Sequence, residues 1–268
     1  MAFPSHAVII TAAGSSDRFN NSQTNVKKEY LTIDGHTVLW RATAPFLEVP
    51  GCQAILITHP QNLAGECALA LEDLLEQNMV PVILVEGGTS RKESVFNALK
   101  MLSTLALDID YVAIHDGARC FIQSDLIIRT LATATVFGAA VPALPTTDTV
   151  KIIDDNGIIT GHVDRNHGVG VQTPQIFRWP AIWQAHQQAK EQQTNYTDDT
   201  QVFTDYGMVV GICEGNRENR KITYLEDIPN AAEQIAAYQK NLEEAEKSKD
   251  ITRLFKQSVA EYQRERSL

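Results

Sequence analysis

The sequence predicts an α/β fold in which a mostly parallel, mixed sheet carries helices on both faces. Short apolar runs rich in β-branched residues alternate along the chain with segments of helical periodicity. Most of these runs are apolar throughout, which is typical of strands that are covered on both faces. The predicted strands are residues 7–11, 54–58, 81–85, 111–115, 138–143 and 208–212.

The segments between these strands have the periodicity of amphipathic helices. The spacing predicts helices over residues 38–47, 62–77, 94–105 and 124–137. In the third of them Val95, Leu99 and Leu102 recur on one face, and Ser94 occupies the expected N-cap position.

Two regions depart from this alternation. Residues 146–173 contain TVKIIDDNGIITGHV, in which β-branched residues flank Asp-Asn-Gly, and this pattern predicts a hairpin on a protruding arm. Residues 236–268 form a charged segment of helical periodicity beyond a main domain of residues 1–235. Because its polar face is mixed in sign, we expect its apolar stripe to dock on the body or on a second subunit rather than on a membrane.

The composition restricts the classes of partner. The chain has 268 residues and a formal net charge of -10, which argues against general binding of nucleic acid or of an anionic membrane. If the protein binds phosphate, its cations must be gathered locally. The sequence shows neither a signal peptide nor an apolar stretch of membrane-spanning length, so we expect a cytoplasmic protein. Four cysteines without a CxxC pair favour reduced, packed thiols.

The turn after the first strand, TAAGSSDRF, is rich in small residues. In open α/β sheets ligands lie beyond the carboxyl ends of the strands, and such a turn lets backbone N–H groups approach an anion. The turn matches neither GxGxxG nor GxxxxGK[ST], and a simple tight turn fits it equally well. However, Arg18, Lys27 and Lys28 place three cations close behind it in an acidic chain, which indicates a polyphosphate. A solvated basic loop is the alternative.

Three further segments offer groups for a ligand. In VEGGTSRKES the glycines could admit a flat base close to the backbone, or the segment could simply cap a helix. In VAIHDGARC, Asp116 ends a buried strand and could bind Mg²⁺ or a ribose hydroxyl; an ion pair with Arg119 is the structural alternative. Near the end of the main domain, EGNRENRKIT supplies another lysine, Lys221.

Taken in order, the motifs AAGSSDRF, KKEYL, GGTSRKESV, HDGAR, DTVK, DRN, TPQIF, TDDTQVF and NRKIT resemble those of the 2-C-methyl-D-erythritol 4-phosphate cytidylyltransferases. The resemblance covers about residues 5–235. It implies a Rossmann-like nucleotidyltransferase fold, the joining of CTP to a polyol phosphate with release of pyrophosphate, and a requirement for Mg²⁺. It also implies a homodimer whose β-arms exchange between subunits.

The resemblance also implies roles for individual residues. Three cations would contact the triphosphate and stabilise the reacting α-phosphorus: Arg18, Lys28 and Lys221. The nucleotide would be bound by Ala13, Gly14, Gly88, Thr89, Ser94 and Asp116, with Asp116 also near the metal. The polyol phosphate would be bound by Thr149, Arg165, Thr173 and Arg119, with Arg165 reaching across the dimer.

Three positions depart from the usual family motifs. Ser16 stands where a second glycine is usual, and Lys27 and Cys120 each stand where a proline is usual. None of these changes removes a proposed catalytic cation, so we expect activity, although loop conformation and nucleotide affinity could differ.

Two alternatives to methylerythritol phosphate chemistry stay open at this stage. The ribitol 5-phosphate cytidylyltransferases share most of the motifs, but the lysine of DTVK and the triplet DRN match the methylerythritol phosphate family better. A nucleotide-binding protein without catalysis is the second alternative. A nicotinamide-dependent dehydrogenase is disfavoured because its three-glycine fingerprint is missing.

Overall fold

The structure is a computed structural model, and it describes residues 3–16, 19, 26–77, 79–190, 196–237 and 240. These residues contain an eight-stranded sheet in the order β10-β7-β11-β6-β1-β4-β5, with β12 paired to β7. The strands are β1 (His6–Thr11), β2 (Thr32–Ile33), β3 (His36–Thr37), β4 (Cys52–His59), β5 (Val82–Glu86), β6 (Tyr111–Asp116), β7 (Ala139–Pro145), β8 (Lys151–Ile153), β9 (Ile159–His162), β10 (Val169–Val171), β11 (Gln175–Arg178) and β12 (Gly211–Glu214).

The sheet is parallel in its centre and mixed at one side. Strands β5, β4, β1 and β6 are parallel neighbours, whereas β11 runs antiparallel to both β6 and β7. The predicted α/β fold class is therefore confirmed. The helices are α1 (Val38–Leu47), α2 (Ala64–Leu69), α3 (Glu72–Gln77), α4 (Arg91–Thr104), α5 (Ser124–Phe137), α6 (Ala181–Lys190) and α7 (Asp199–Asp205), and residues 231–237 are also helical.

Alternate residues of the central strands pack into two cores, one on each face of the sheet. Val8 and Ile10 contribute to the core beneath α1 and α5, whereas Ala7 and Ile9 contribute to the core beneath α4, α6 and α7. This arrangement explains why β1 is apolar at successive positions, since both of its faces exclude water.

The predicted helices 38–47 and 124–137 are confirmed, and the other two need correction. Segment 62–77 is divided into α2 and α3, because the hydroxyl of Thr37 donates to the carbonyl of Ala70 at 2.6 Å and competes with a continuous helix. The N-cap of α4 is Ser90 rather than Ser94, since the Ser90 side chain accepts from the backbone N–H of Glu93. The last predicted strand begins at Gly211 because Met208 and Val210 pack on the core before pairing with β7 starts.

The predicted hairpin is present as β8 and β9, which pair antiparallel on the arm between β7 and β10. Its apolar side chains are exposed; Ile152, Ile153, Ile158 and Ile159 each expose more than half of their surface. Of the predicted C-terminal segment, only residues 236, 237 and 240 belong to the described residues, so its docking stays a prediction. None of the helices in the described ranges is both long and apolar enough to cross a membrane.

Candidate active site

A cavity of about 970 Å³ lies beyond the carboxyl ends of the parallel strands. Its walls come from the turn after β1, the segment after β5, the end of β6 and the 27–29 segment. Eight of the residues predicted to form the site line it: Ala13, Gly14, Lys28, Gly88, Thr89, Ser94, Asp116 and Lys221. The sheet thus brings distant parts of the chain to one edge, as parallel α/β topology requires.

A third apolar cluster fixes two lysines of the cavity, Lys28 and Lys221, relative to each other. It joins Val26 and Leu31, which flank Lys28, to Ile222, which follows Lys221. The Lys28 ammonium, in a residue only 8% exposed, donates to the carbonyl of Ile222 at 2.7 Å. Burial of apolar side chains therefore determines where both cations lie, although they are 193 residues apart in sequence.

Asp116 lies between three cations at the end of β6. Its carboxylate accepts from Lys221 Nζ at 2.9 Å and lies 3.5 Å from both Arg91 Nε and Arg119 Nε. Burial raises the pKa of Asp116, but the positive charges of Arg91, Lys221 and Arg119 outweigh this effect and hold the pKa well below its usual range. The carboxylate is consequently ionised at neutral pH.

Arg91 is a cavity residue that the sequence motifs did not single out. Its guanidinium bridges Asp116 and the buried Asp199, which lies at the start of α7 and accepts from Arg91 Nη1 at 2.6 Å. His186 contacts the other oxygen of Asp199 at 3.1 Å. This network links the cavity wall to α6 and α7. The sequence predicted this helix to begin at Ser94, so only the structure shows that Arg91 lies in its first turn.

The segment after β5 is held by short local hydrogen bonds. The Ser94 hydroxyl accepts from the backbone N–H of Gly88 at 3.1 Å, and the Glu93 carboxylate accepts from the backbone N–H of Thr89 at 2.7 Å. A Cβ on Gly87 would collide with the side chain of Ala13 and approach Ser94 Oγ to 2.9 Å. Glycine is therefore required where this segment meets the turn after β1.

Ser16 and Lys27, two of the residues that depart from the usual family motifs, belong to one hydrogen-bonded group at the turn after β1. Ser16 has a φ of 60°, a left-handed conformation that explains why glycine is the usual residue there. Its hydroxyl donates to Glu29 at 3.4 Å, and Glu29 lies 3.5 Å from the buried ammonium of Lys27. Lys27 also donates to the carbonyl of Gly14. The turn is thus tied to the 27–29 segment by polar contacts. The third unusual residue, Cys120, is buried in the third apolar cluster.

The predicted polyol-phosphate residues do not line the cavity. Thr173 is buried behind Asp116, where its hydroxyl accepts from the Asp116 backbone N–H at 3.1 Å. Arg119 donates to the carbonyl of Asn219 at 2.8 Å. Thr149 and Arg165 lie on the arm, where Arg165 donates to the Thr149 hydroxyl at 3.2 Å. The remaining predicted cation, Arg18, lies outside the described residues.

The side chains around the cavity fit a metal ion only if most of its ligands come from phosphate and water. No group of three or more His, Cys, Asp or Glu side chains within the described ranges is arranged to hold a metal ion. Asp116 is one of four acidic residues that line the cavity, and its ionised carboxylate lies among cations. Phosphate-bound Mg²⁺ needs only one or two protein carboxylates, so this donor set fits an ion whose other ligands are phosphate oxygens and water.

Comparison with known proteins gives one consistent family. A sequence model of the 2-C-methyl-D-erythritol 4-phosphate cytidylyltransferase family matches residues 6–237. The cytidylyltransferase of that name from Clostridium botulinum is 34% identical over 223 residues, which cover 83% of this chain and 95% of the relative. A bifunctional IspD/IspF enzyme from Rhodopseudomonas palustris is 36% identical over 236 residues, which cover 87% of this chain and 56% of that enzyme.

Solved structures agree with the sequence relatives. The structure of 4-diphosphocytidyl-2C-methyl-D-erythritol synthase from Anaerococcus prevotii has a TM-score of 0.70 at 28% identity, and the alignment covers 88% of this chain and 99% of that one. The 2-C-methyl-D-erythritol 4-phosphate cytidylyltransferase from Thermus thermophilus has a TM-score of 0.64 at 27% identity, with 89% and 100% of the two chains covered.

Proposed function

The chain belongs to the 2-C-methyl-D-erythritol 4-phosphate cytidylyltransferase family, and we propose that it transfers the cytidylyl group of CTP to 2-C-methyl-D-erythritol 4-phosphate. The products are 4-diphosphocytidyl-2-C-methyl-D-erythritol and pyrophosphate. The observation that carries this proposal is the shared cavity in which Lys28, Lys221 and Asp116 lie at the carboxyl edge of the sheet.

In the proposed reaction an oxygen of the acceptor phosphate attacks the α-phosphorus of CTP. The new P–O bond forms as the bond from the α-phosphorus to the bridging oxygen breaks, and pyrophosphate leaves with that electron pair. The acceptor phosphate is already anionic, so no side chain has to remove a proton from it. The main obstacle is charge repulsion, and catalysis therefore depends on in-line placement and on cations around the phosphates.

Lys28, Lys221 and Arg18 fill this electrostatic role. Lys28 is held beside the cavity by its bond to the Ile222 carbonyl, so its charge is placed before the nucleotide arrives. Lys221, whose side chain is 37% exposed, can exchange its bond with Asp116 for a bond to a phosphate oxygen. A preorganised cation needs little rearrangement when negative charge develops, which is why it lowers the barrier.

The nucleoside end of CTP would lie against the Gly88–Ser94 side of the cavity. We propose that Gly88, Thr89 and Ser94 surround cytosine, that Ala13 and Gly14 supply backbone contacts, and that Asp116 lies near the ribose. A pocket of fixed size with fixed polar groups can reject a purine without any change in the chemistry.

Mg²⁺ would be held by Asp116 together with the phosphates, and it would supply further neutralisation of the triphosphate charge. The cavity lining supports this proposal, since Asp116 provides a carboxylate and the phosphates would supply other ligands.

The acceptor site is proposed to be completed by the arm of a second copy of the chain. Thr149 and Arg165 lie together on the arm and outside the cavity, as a residue pair that serves a neighbouring subunit would. The exposed isoleucines of β8 and β9 support a homodimer, because an apolar surface of this kind is usually covered. We also propose a cytoplasmic location, which is supported by the four unpaired cysteines.

Product analysis tests the proposed function. Purified protein is incubated with CTP, Mg²⁺ and either methylerythritol phosphate or ribitol 5-phosphate, and the products are identified by mass spectrometry. We expect the methylerythritol conjugate and pyrophosphate. CDP-ribitol as the sole product would establish the alternative acceptor, and tight CTP binding without product from either acceptor would indicate a non-catalytic protein.

A further inference from the structure

A second cleft, of about 490 Å³, shares no lining residue with the catalytic cavity. It lies between α1, the 120–123 segment and the loop that precedes Lys221. Three arginines line it, Arg41, Arg217 and Arg220, together with a single acid, Glu218. A local excess of positive charge is unexpected in a chain whose net charge is -10.

The three guanidinium groups are only weakly neutralised by the protein. Arg41 lies 3.6 Å from Asp34, whose side chain is 81% exposed, and Arg41 Nε is buried without a hydrogen-bond partner among the described residues. Arg217 forms no ion pair with any residue that the structure describes. An exposed ion pair contributes little, so the charge of this cleft is available to a ligand.

Arg41 and Arg220 line the cleft together with Cys120. Burial raises the pKa of the Cys120 thiol to about 11, and the positive charges of both arginines oppose that rise. Arg220 also lies over the ring of Phe121, with 4.8 Å from the guanidinium carbon to the ring centroid, and this stacking orients it. A further acid, Asp227, has its pKa lowered mainly by hydrogen bonds from the backbone N–H groups of Tyr224 and Thr223, and to a smaller extent by the charge of Arg220.

The N-terminus of α5 adds to the positive potential. Its N-cap, Gln123, lines the cleft and caps no backbone N–H with its side chain. The 14-residue helix therefore contributes its positive dipole end, partly offset by Asp125 in the first turn.

We propose that this second cleft binds a small molecule that carries a phosphate or diphosphate group. Arginine matches phosphate because its planar fork can donate two parallel hydrogen bonds to phosphate oxygens. The volume accommodates more than the phosphate itself, and the Phe121 ring supplies an apolar wall for the rest of the molecule.

The second cleft and the catalytic cavity are linked by the segment that contains Asn219 and Lys221. Arg220 directly precedes Lys221, and the carbonyl of Asn219 accepts from Arg119, which contacts Asp116. The proposed ligand would therefore contact the same segment that carries Lys221.

Calorimetric titration with inorganic pyrophosphate tests the proposal. The full chain is compared with a cleft variant, Arg217→Gln/Arg220→Gln, with a cavity variant, Lys221→Met, and with Arg178→Gln as a control at an exposed arginine outside both sites. The cleft variant should lose one binding event or bind at that site at least about tenfold more weakly, as expected when charge-assisted hydrogen bonds are removed. The cavity variant and the control should keep it.

Two results would overturn the proposal: no binding event that survives Lys221→Met, or unchanged binding in the cleft variant. The arginines exchanged are at the surface, and thermal unfolding of each variant verifies that the fold is kept. The test is independent of the proposed function. If the catalytic cavity binds no phosphate, Lys221→Met will bind pyrophosphate as the full chain does, and the cleft variant will still lose its binding event.

Discussion

Exchange of Lys28 for methionine separates the catalytic role of this lysine from its structural role. The ammonium lines the cavity and also donates to the buried carbonyl of Ile222 at 2.7 Å. Methionine retains much of the side-chain volume and removes the charge. The variant is therefore expected to lose both transition-state stabilisation and some folding free energy.

The loss of activity and the loss of stability are read out by different measurements. Loss of a preorganised cation should lower kcat by on the order of 10², which corresponds to about 2.7 kcal/mol of transition-state stabilisation. Loss of the partner of the Ile222 carbonyl should lower the free energy of unfolding by about 1–3 kcal/mol. The first is measured from pyrophosphate release at saturating CTP and acceptor, and the second from urea unfolding.

Lys92→Met is the matched control. Lys92 donates to the carbonyl of Ala189 at 2.8 Å, a bond similar to that of Lys28, but it does not line the cavity. We expect Lys92→Met to lose a comparable amount of stability and to retain kcat. A near-normal kcat in Lys28→Met would remove Lys28 from the mechanism, and equal losses of kcat in both variants would show that stability alone is responsible.

Three further predictions follow from the site. Arg165→Met should raise KM for the polyol phosphate with little change in CTP affinity, and steady-state kinetics showing equal loss for both substrates would contradict its role. Gly14→Ala should keep the melting temperature, since its Cβ would have no atom within 4 Å, yet it should weaken CTP binding. Gly87→Ala should lower the melting temperature, because its Cβ collides with neighbouring side chains. Calorimetry and a binding titration would refute this distinction if both variants behaved alike. Burial lowers the pKa of His115 from 6.5 to about 4, so between these pH values the unfolded chain binds a proton that the folded chain excludes. The free energy of unfolding should therefore fall by on the order of 3 kcal/mol as the pH drops from about 6.5 to 4. Urea unfolding should show a weaker pH dependence for His115→Gln but not for the exposed control His162→Gln, and an unchanged dependence in His115→Gln would exclude this histidine as the cause.

The central sheet and part of the site could be predicted because local sequence determines them. Asp116 ends an apolar strand, and parallel topology alone brings the end of that strand to the same edge as the turn after β1. The helix beginning at Ser124 has a clear periodicity and a glycine after its last turn, so both of its ends were correct.

The errors occur where tertiary contacts override local preference. Two serines, Ser90 and Ser94, both suit an N-cap, and only the contacts with Gly88 and Glu93 decide between them. Arg91 was missed because its importance depends on Asp199, which lies 108 residues further along the chain. The roles of Thr149 and Arg165 cannot be derived from one chain if a second subunit completes the acceptor site.

The crystal structure of the protein with CTP and Mg²⁺ tests the central claim most directly, because the claim is that cations distant in sequence meet on one triphosphate. We predict that the phosphates occupy the 970 Å³ cavity, with oxygens about 2.7–2.9 Å from the ammonium nitrogens of both Lys28 and Lys221. A triphosphate bound outside this cavity, or one that contacts neither lysine, would contradict the account.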